Sequence, residues 1–134
     1  MQRWPLNCNE GQFLSGNESA MPKEIKRGEI YWVDWSPGRG SEQSGARPAL
    51  IIQNDTGNRC SPTTIVSSIS TAPERPYPFL VRFTAAESGL ERDSAVNLSS
   101  ILTIDQTCLG DKCGELHNTK MTEVNEAIRI SLAL

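Results

Sequence analysis

Short apolar runs bounded by turn residues are the feature that most constrains this chain. Residues 30–33 and 49–52 are uninterrupted apolar runs, and each is followed within a few positions by Pro, Gly, Asn or Asp. Runs of this length that are rich in β-branched and aromatic residues are typical of strands, because helices need at least ten residues or so. None approaches the ~20 apolar residues that span a bilayer, so no membrane association is expected.

Five segments are predicted as strands. Residues 49–53 form a continuous apolar run, which is typical of a strand buried on both faces in the middle of a sheet. In residues 63–70 every second side chain shares a face, so Ser68 and Ser70 lie together and Ser70 lies at the strand end. The other predicted strands are residues 29–35, 79–83 and 94–98, and residues 101–109 form a strand or a mixed segment.

Near the C-terminus the spacing of the apolar residues changes from that of strands to that of a helix. From Met121 the apolar residues recur every three or four positions, which predicts an amphipathic helix with Asn118 or Thr119 as its N-cap. Several short strands followed by one helix predict a mainly β domain: a small curved antiparallel sheet or barrel with a C-terminal helix packed on it. Residues 1–24 show neither period and are predicted to be a flexible extension, so that the domain spans residues 25–134.

Charge and ligand composition restrict the kinds of site that the chain can hold. Thirteen Lys and Arg against sixteen Asp and Glu give a net charge of −3, so a broadly basic nucleic-acid surface is not expected. The four cysteines contain no C-x-x-C pair, and the chain has one histidine. A zinc site is therefore not indicated, and neither a metal nor another cofactor is expected.

The long polar connection of residues 36–48 is the candidate functional segment. It exceeds a hairpin turn, and long loops in compact domains are usually functional or disordered. Pro48 favours an extended backbone at Arg47, which fixes the guanidinium at the start of the next strand. A planar guanidinium suits a phosphate, although an exposed salt bridge at the rim of the sheet explains the same residue equally well.

A series of short motifs runs through residues 25–134. They are KRGEIYWVD from residue 26, SP from 36, GSEQ from 40, RP from 47, QND from 53, GN from 57, SPT from 61, RDS from 92 and TID from 103. In this order they closely resemble the MazF/PemK (Kid) family of toxin endoribonucleases. The resemblance implies a Src-homology-three-like curved β-barrel of the CcdB/Kid/MazF type. It also implies a homodimer with a cognate MazE-like antitoxin. The cytoplasm is expected because no segment resembles a membrane span or a secretory signal.

The resemblance further implies a type II toxin that cuts single-stranded RNA, mainly mRNA, at specific sequences without a metal. Such cleavage leaves 2′,3′-cyclic phosphate and 5′-hydroxyl ends and inhibits translation and growth. The family's catalytic arginine corresponds to Arg47 and its catalytic threonine to Ser70, with Thr71 as the alternative. Serine keeps a hydroxyl for the phosphate but loses the methyl group that restricts the rotamer.

By the same analogy, RNA contacts are expected from the loop. RNA or dimer contacts are expected from the segment after the buried strand, where turn formation is the alternative. Glu42 is in addition a candidate for proton transfer. The expected RNA-binding residues are Ser36, Pro37, Ser41, Glu42, Gln43, Asn54 and Arg59.

Two other functions are compatible with a small β domain. Poisons of DNA gyrase of the CcdB type share the implied architecture but end in Trp-Gly-Ile, whereas this chain ends in Ser-Leu-Ala-Leu. A non-catalytic binding module would accommodate serine at position 70. RNA cleavage by the purified protein separates a nuclease from both.

Overall fold

The computed structural model describes residues 24–34 and 46–134. Within these ranges the chain forms six strands and three helices, and none of the helices is long and apolar enough to cross a membrane. A turn of 3-10 helix (Gln106–Cys108) joins the last two strands. The elements are β1 (Glu29–Asp34), β2 (Ala46–Ile51), α1 (Asp55–Cys60), β3 (Thr63–Thr71), β4 (Leu80–Phe83), α2 (Ala85–Ser88), β5 (Ser94–Asp105), β6 (Leu109–Glu115) and α3 (Asn118–Leu132).

The strands form one antiparallel sheet in the order β4–β5–β3–β2–β1–β6. Among the described strands β4 and β6 each pair on one side only, so the sheet is open and does not close into a barrel. β2 lies in the middle, as its continuous apolar run predicts, and Ala49, Leu50 and Ile51 are fully buried. The predicted mainly β fold with an antiparallel sheet and a C-terminal helix is confirmed.

The sheet separates two clusters of buried side chains. On one face, which we call the helix face, Ile30, Leu50 and Ile69 pack with Met121 and Val124 of α3. Because side chains alternate along each strand, the neighbouring positions project to the opposite face. The cluster on that opposite face comprises Ile25, Tyr31, Val33, Ala49, Ile51, Val66 and Leu109.

β5 changes register halfway along its pairing with β3. Ser67 pairs with Ile101, but Ser68 pairs with Asn97, so the intervening residues of β5 form a bulge. The buried Ser67 Oγ lies 2.5 Å from the Asn97 carbonyl oxygen and 3.2 Å from that of Ser100. Its hydroxyl therefore donates to carbonyl groups at the point where the bulge interrupts the ladder.

Two elements around β2 and β3 differ from the prediction. α1 replaces the expected turn after β2, because the Asn54 side chain accepts a hydrogen bond from the Gly57 N–H at 2.6 Å and caps a helix. β5 continues to Asp105 instead of ending at residue 98, because the bulge allows both of its halves to pair with β3.

Two further elements were mispredicted near the C-terminus. β6 contains Gly110 and Gly114 and lacks apolar alternation, so its sequence does not resemble a strand; it lies at the sheet edge and pairs with β1. The N-cap of α3 is His117, not Asn118 or Thr119, because the extended backbone ends at His117. The predicted apolar face is confirmed by the buried helix residues Met121, Val124 and Ala127.

Candidate active site

Arg47 lies at the start of β2, where its backbone is held against β1 by pairing with Val33. The next residue, Pro48, has no N–H to donate, and the pairing of β2 with β3 begins only at Ala49. The Arg47 side chain is exposed and makes no ion pair with the residues that the structure describes. The alternative explanation of Arg47, a salt bridge at the rim of the sheet, therefore finds no acidic partner among the described residues.

Ser70 is the residue of β3 that lies level with Arg47. Ala49 pairs with Ser68 at the end of the β2–β3 ladder, and Arg47 and Ser70 each lie two residues beyond that pair. Alternation along each strand projects their side chains to the same face as those of Ala49 and Ser68. Arg47 and Ser70 therefore share the face of the sheet that is opposite to α3.

Thr71, the alternative to Ser70, projects to the other side. Ser70 pairs with Ala95 and Thr71 with Ser94, and consecutive residues of a strand face opposite sides of the sheet. Ser70 Oγ lies 3.4 Å from the Thr71 carbonyl oxygen, which is long for an O–H···O hydrogen bond. Both residues are exposed, and of the two hydroxyls that of Ser70 lies on the Arg47 side.

The same row continues across β5 to β4. Ala95 pairs on one side with Ser70 and on the other with Arg82, so the row reads Arg47, Ser70, Ala95, Arg82; we call it the Arg47 row. Two exposed arginines thus lie on either side of an exposed hydroxyl. Guanidinium and hydroxyl donors in this arrangement suit an extended anionic ligand such as a nucleic-acid backbone.

Asn54 and Arg59 lie beyond the other end of β2. Ile51 is about 13 Å along the strand from Arg47, and both residues follow it. The Asn54 side chain caps α1, and Arg59 is exposed in the last turn of that helix. The structure does not bring these two residues to Arg47 within one chain. The loop candidates Ser36, Pro37, Ser41, Glu42 and Gln43 lie outside the described residues.

Sequence reasoning missed a buried polar network beside α1. Asn58 Oδ1 accepts hydrogen bonds from Gln53 Nε2 at 2.9 Å and from Thr64 Oγ1 at 2.7 Å. Asn58 Nδ2 donates to the Gln53 carbonyl at 3.1 Å, and Gln106 Nε2 donates to the Asn58 carbonyl at 2.9 Å. The network joins the ends of β2, β3 and β5. The available signal in the sequence was the two amide residues Gln53 and Asn58, which follow a buried strand.

A cluster of ionisable side chains at the β1–β6 edge is engaged in structural contacts. Lys112 Nζ lies 2.8 Å from Glu115 and 3.2 Å from Glu29, and the Tyr31 hydroxyl donates to Glu29 at 2.9 Å. Burial, followed by the hydrogen bond to Glu29, raises the pKa of Tyr31 to about 12. Tyr31 therefore stays protonated near neutral pH and is not a general base. No group of potential metal ligands comes together within residues 24–34 and 46–134.

Comparison with known proteins identifies a family and several relatives. The pattern of the family described as PemK-like, MazF-like toxin of type II toxin-antitoxin system matches residues 26–132. The Endoribonuclease EndoA of Bacillus subtilis is 49% identical over 82% of this chain and 96% of its own length. The Endoribonuclease MazF of Staphylococcus saprophyticus is 45% identical over 82% of this chain and 92% of its own length.

A solved structure shares the fold. It is an endoribonuclease in complex with its cognate antitoxin from Mycobacterial species, with a TM-score of 0.69 and 28% identity. The alignment covers 82% of this chain and 96% of that chain. The family resemblance that the motifs indicate is thereby confirmed.

Proposed function

Since the chain belongs to the family of PemK-like, MazF-like toxins of type II toxin–antitoxin systems, we propose that it cuts single-stranded RNA with Arg47 and Ser70. The relatives from Bacillus subtilis and Staphylococcus saprophyticus are both named endoribonucleases, which supports this activity over gyrase poisoning or passive binding. The observation that supports these two residues is their shared exposed row on the face opposite to α3.

The proposed reaction uses a nucleophile from the substrate itself. The 2′-hydroxyl oxygen attacks the adjacent phosphorus, and the new P–O bond closes a 2′,3′-cyclic phosphate as the bond to the 5′ oxygen breaks. The 2′-hydroxyl loses its proton, and the departing 5′ oxygen gains one. The protein therefore has to supply orientation, charge stabilisation and proton transfer.

Arg47 is assigned the role of stabilising the negative charge that develops on the phosphate. Its guanidinium would donate to the non-bridging oxygens, and one preorganised donor of this kind contributes about 3–4 kcal/mol to transition-state stabilisation. A guanidinium has N–H donors and no acceptor site, so Arg47 is not assigned the 2′-hydroxyl proton. Ser70 would hydrogen-bond the same phosphate and hold it in line, and Glu42 of the loop is the proposed carboxylate for proton transfer.

The partners belong to the same proposal. The Mycobacterial structure is a complex with a cognate antitoxin, and we propose a MazE-like antitoxin for this chain as well. An acidic segment of that antitoxin would cover the Arg47 row and exclude RNA, because it would compete for the same guanidinium donors. We also propose a homodimer that acts in the cytoplasm, where its mRNA substrate and its antitoxin occur.

Purified wild-type protein is expected to cut several unrelated long single-stranded transcripts into discrete fragments in the presence of EDTA. Gel electrophoresis detects the fragments, and direct phosphorylation by polynucleotide kinase detects their 5′-hydroxyl ends. Because EDTA removes free divalent ions, cleavage under these conditions supports a metal-independent reaction. Intact RNA from every transcript, with the protein shown by circular dichroism to be folded, would overturn the proposed activity.

Ser70→Ala is expected to lower kcat about 10- to 100-fold, because it removes a hydrogen bond to a charged phosphate that is worth about 1.5–3 kcal/mol. Ser70→Thr keeps the hydroxyl and should retain most activity. The matched control is Thr71→Ala, which removes a neighbouring exposed hydroxyl from the opposite face. Initial rates on an oligonucleotide that spans a mapped cleavage site measure all three. A loss in Thr71→Ala and not in Ser70→Ala would assign the role to Thr71.

A further inference from the structure

The connection between β3 and β4 contains an aromatic pair that the proposed cleavage chemistry does not use. The rings of Tyr77 and Phe79 are stacked, with their centroids 5.1 Å apart and their planes inclined by 12°. Phe79 is half-buried, whereas Tyr77 is 39% exposed. One side of the Tyr77 ring therefore packs on Phe79, and part of the ring remains open to solvent.

The backbone around this pair is fixed at both rings. The Tyr77 carbonyl accepts a hydrogen bond from the Leu80 N–H at 3.0 Å, and the Phe79 carbonyl accepts one from the Leu98 N–H of β5 at 2.9 Å. Prolines at positions 73, 76 and 78 restrict φ within the connection. A ring held in this way loses little conformational entropy when a ligand stacks on it.

Arg82 links the connection to the Arg47 row. Arg82 is the last member of that row, and its guanidinium donates a hydrogen bond to the Pro73 carbonyl. Ser70 and Arg82 are separated by two strand spacings, about 10 Å. The connection thus leaves the sheet just after Ser70 and is held at Pro73 by a residue of the same row.

We propose that the Tyr77 ring, supported by Phe79, is a stacking platform for an unpaired RNA base that flanks the cleaved phosphate. The inference rests on the proposed function, because it requires single-stranded RNA bound along the Arg47 row. Single-stranded RNA is recognised largely through bases that stack on exposed aromatic side chains, and Arg47 and Arg82 supply local positive charge for the backbone. The net charge of −3 therefore does not oppose it.

Trp32 is another exposed aromatic residue, at 41%, but it lies on the wrong side of the sheet for this role. Val33 shares the face of Arg47, and alternation along β1 therefore directs Trp32 to the helix face. Tyr77, in contrast, belongs to the β3–β4 connection, which Arg82 of the Arg47 row holds at Pro73.

The test compares Tyr77→Ala, Tyr77→Leu and Tyr77→Phe with wild type on an oligonucleotide that spans the site most often cut in a long transcript. We expect Tyr77→Ala and Tyr77→Leu to raise KM about tenfold with kcat changed less than twofold, because stacking stabilises bound substrate and transition state alike. Tyr77→Phe should match wild type. The control is Leu102→Ala, which removes a similarly exposed apolar side chain (42%) from β5 and should change neither constant.

A second readout reports stacking directly. The same oligonucleotide, with a 2′-deoxy sugar at the cleaved position to block the attack, is prepared with 2-aminopurine at each flanking base in turn. Binding of wild type and of Tyr77→Phe should quench the fluorescence at one position, and binding of Tyr77→Ala should not.

Three outcomes would overturn the platform while the nuclease stands. In the first, Tyr77→Ala has the KM and the fluorescence quenching of wild type. In the second, Tyr77→Phe loses as much substrate binding as Tyr77→Ala. In the third, Tyr77→Ala lowers kcat and leaves KM unchanged. In each case wild type still cuts RNA, and Arg47→Ala cuts it far more slowly. Failure of wild type to cut any transcript would instead overturn the proposed function itself.

Discussion

Arg47→Ala is expected to lower kcat for RNA cleavage by about 10²–10³-fold while the fold remains unchanged. The loss corresponds to one preorganised donor, about 3–4 kcal/mol, removed from the charged transition state. Stability should change by no more than about 0.5 kcal/mol, because the side chain is exposed and makes no ion pair in the described ranges. Initial rates on a mapped oligonucleotide and thermal unfolding by circular dichroism give the two quantities.

Two companion variants separate the geometry of Arg47 from its charge. Arg47→Lys keeps the charge but not the planar fork and should recover only part of the activity. Arg129→Ala removes the same charge from the exposed surface of α3, on the other side of the sheet, and should retain wild-type rates. Wild-type activity in Arg47→Ala would remove this residue from the mechanism. Equal losses in Arg47→Ala and Arg129→Ala would indicate an effect of net charge alone.

Asn58→Ala is expected to reduce the free energy of unfolding by about 2–4 kcal/mol. The substitution leaves the Thr64 hydroxyl and the Gln53 carbonyl without the partner they have in a buried site, and each such group costs about 1–3 kcal/mol. Urea unfolding followed by circular dichroism measures the change. Protein concentration has to be the same for all variants, because association would stabilise the folded state by mass action.

The adjacent residue provides the matched control for Asn58. Arg59 lies next to it in α1 but is exposed, so Arg59→Ala should change the free energy of unfolding by no more than about 0.5 kcal/mol. Thr64→Val, which removes one donor and keeps the shape, should give an intermediate loss of about 1–2 kcal/mol. A change below about 0.5 kcal/mol in Asn58→Ala would show that other donors and acceptors replace the network.

Strands were predictable where burial imposes a pattern on the sequence. β2 is fully buried over Ala49, Leu50 and Ile51, so every position is apolar and the run is visible. β6 was not predictable, because an edge strand that pairs through its backbone needs few apolar side chains. The length of β5 depends on a bulge between Asn97 and Ile101, and a bulge leaves no periodic signal.

The candidate site was predictable in its residues but not in its geometry. The sequence indicated an extended Arg47 and a strand-end Ser70, and family resemblance joined them. The register between β2 and β3, which brings them level, depends on packing across both faces of the sheet. The burial of Asn58 was not predictable, because an amide that follows a strand has the same sequence appearance whether it faces solvent or the interior.

α3 and the Arg47 row lie on opposite faces of one sheet. A chemical tether attached at the exposed Arg129 position would therefore anchor the molecule to a solid support with the row directed towards the solution. Molecules immobilised in one orientation would expose identical surfaces to RNA. Single cleavage events could then be followed without the attachment itself blocking the substrate.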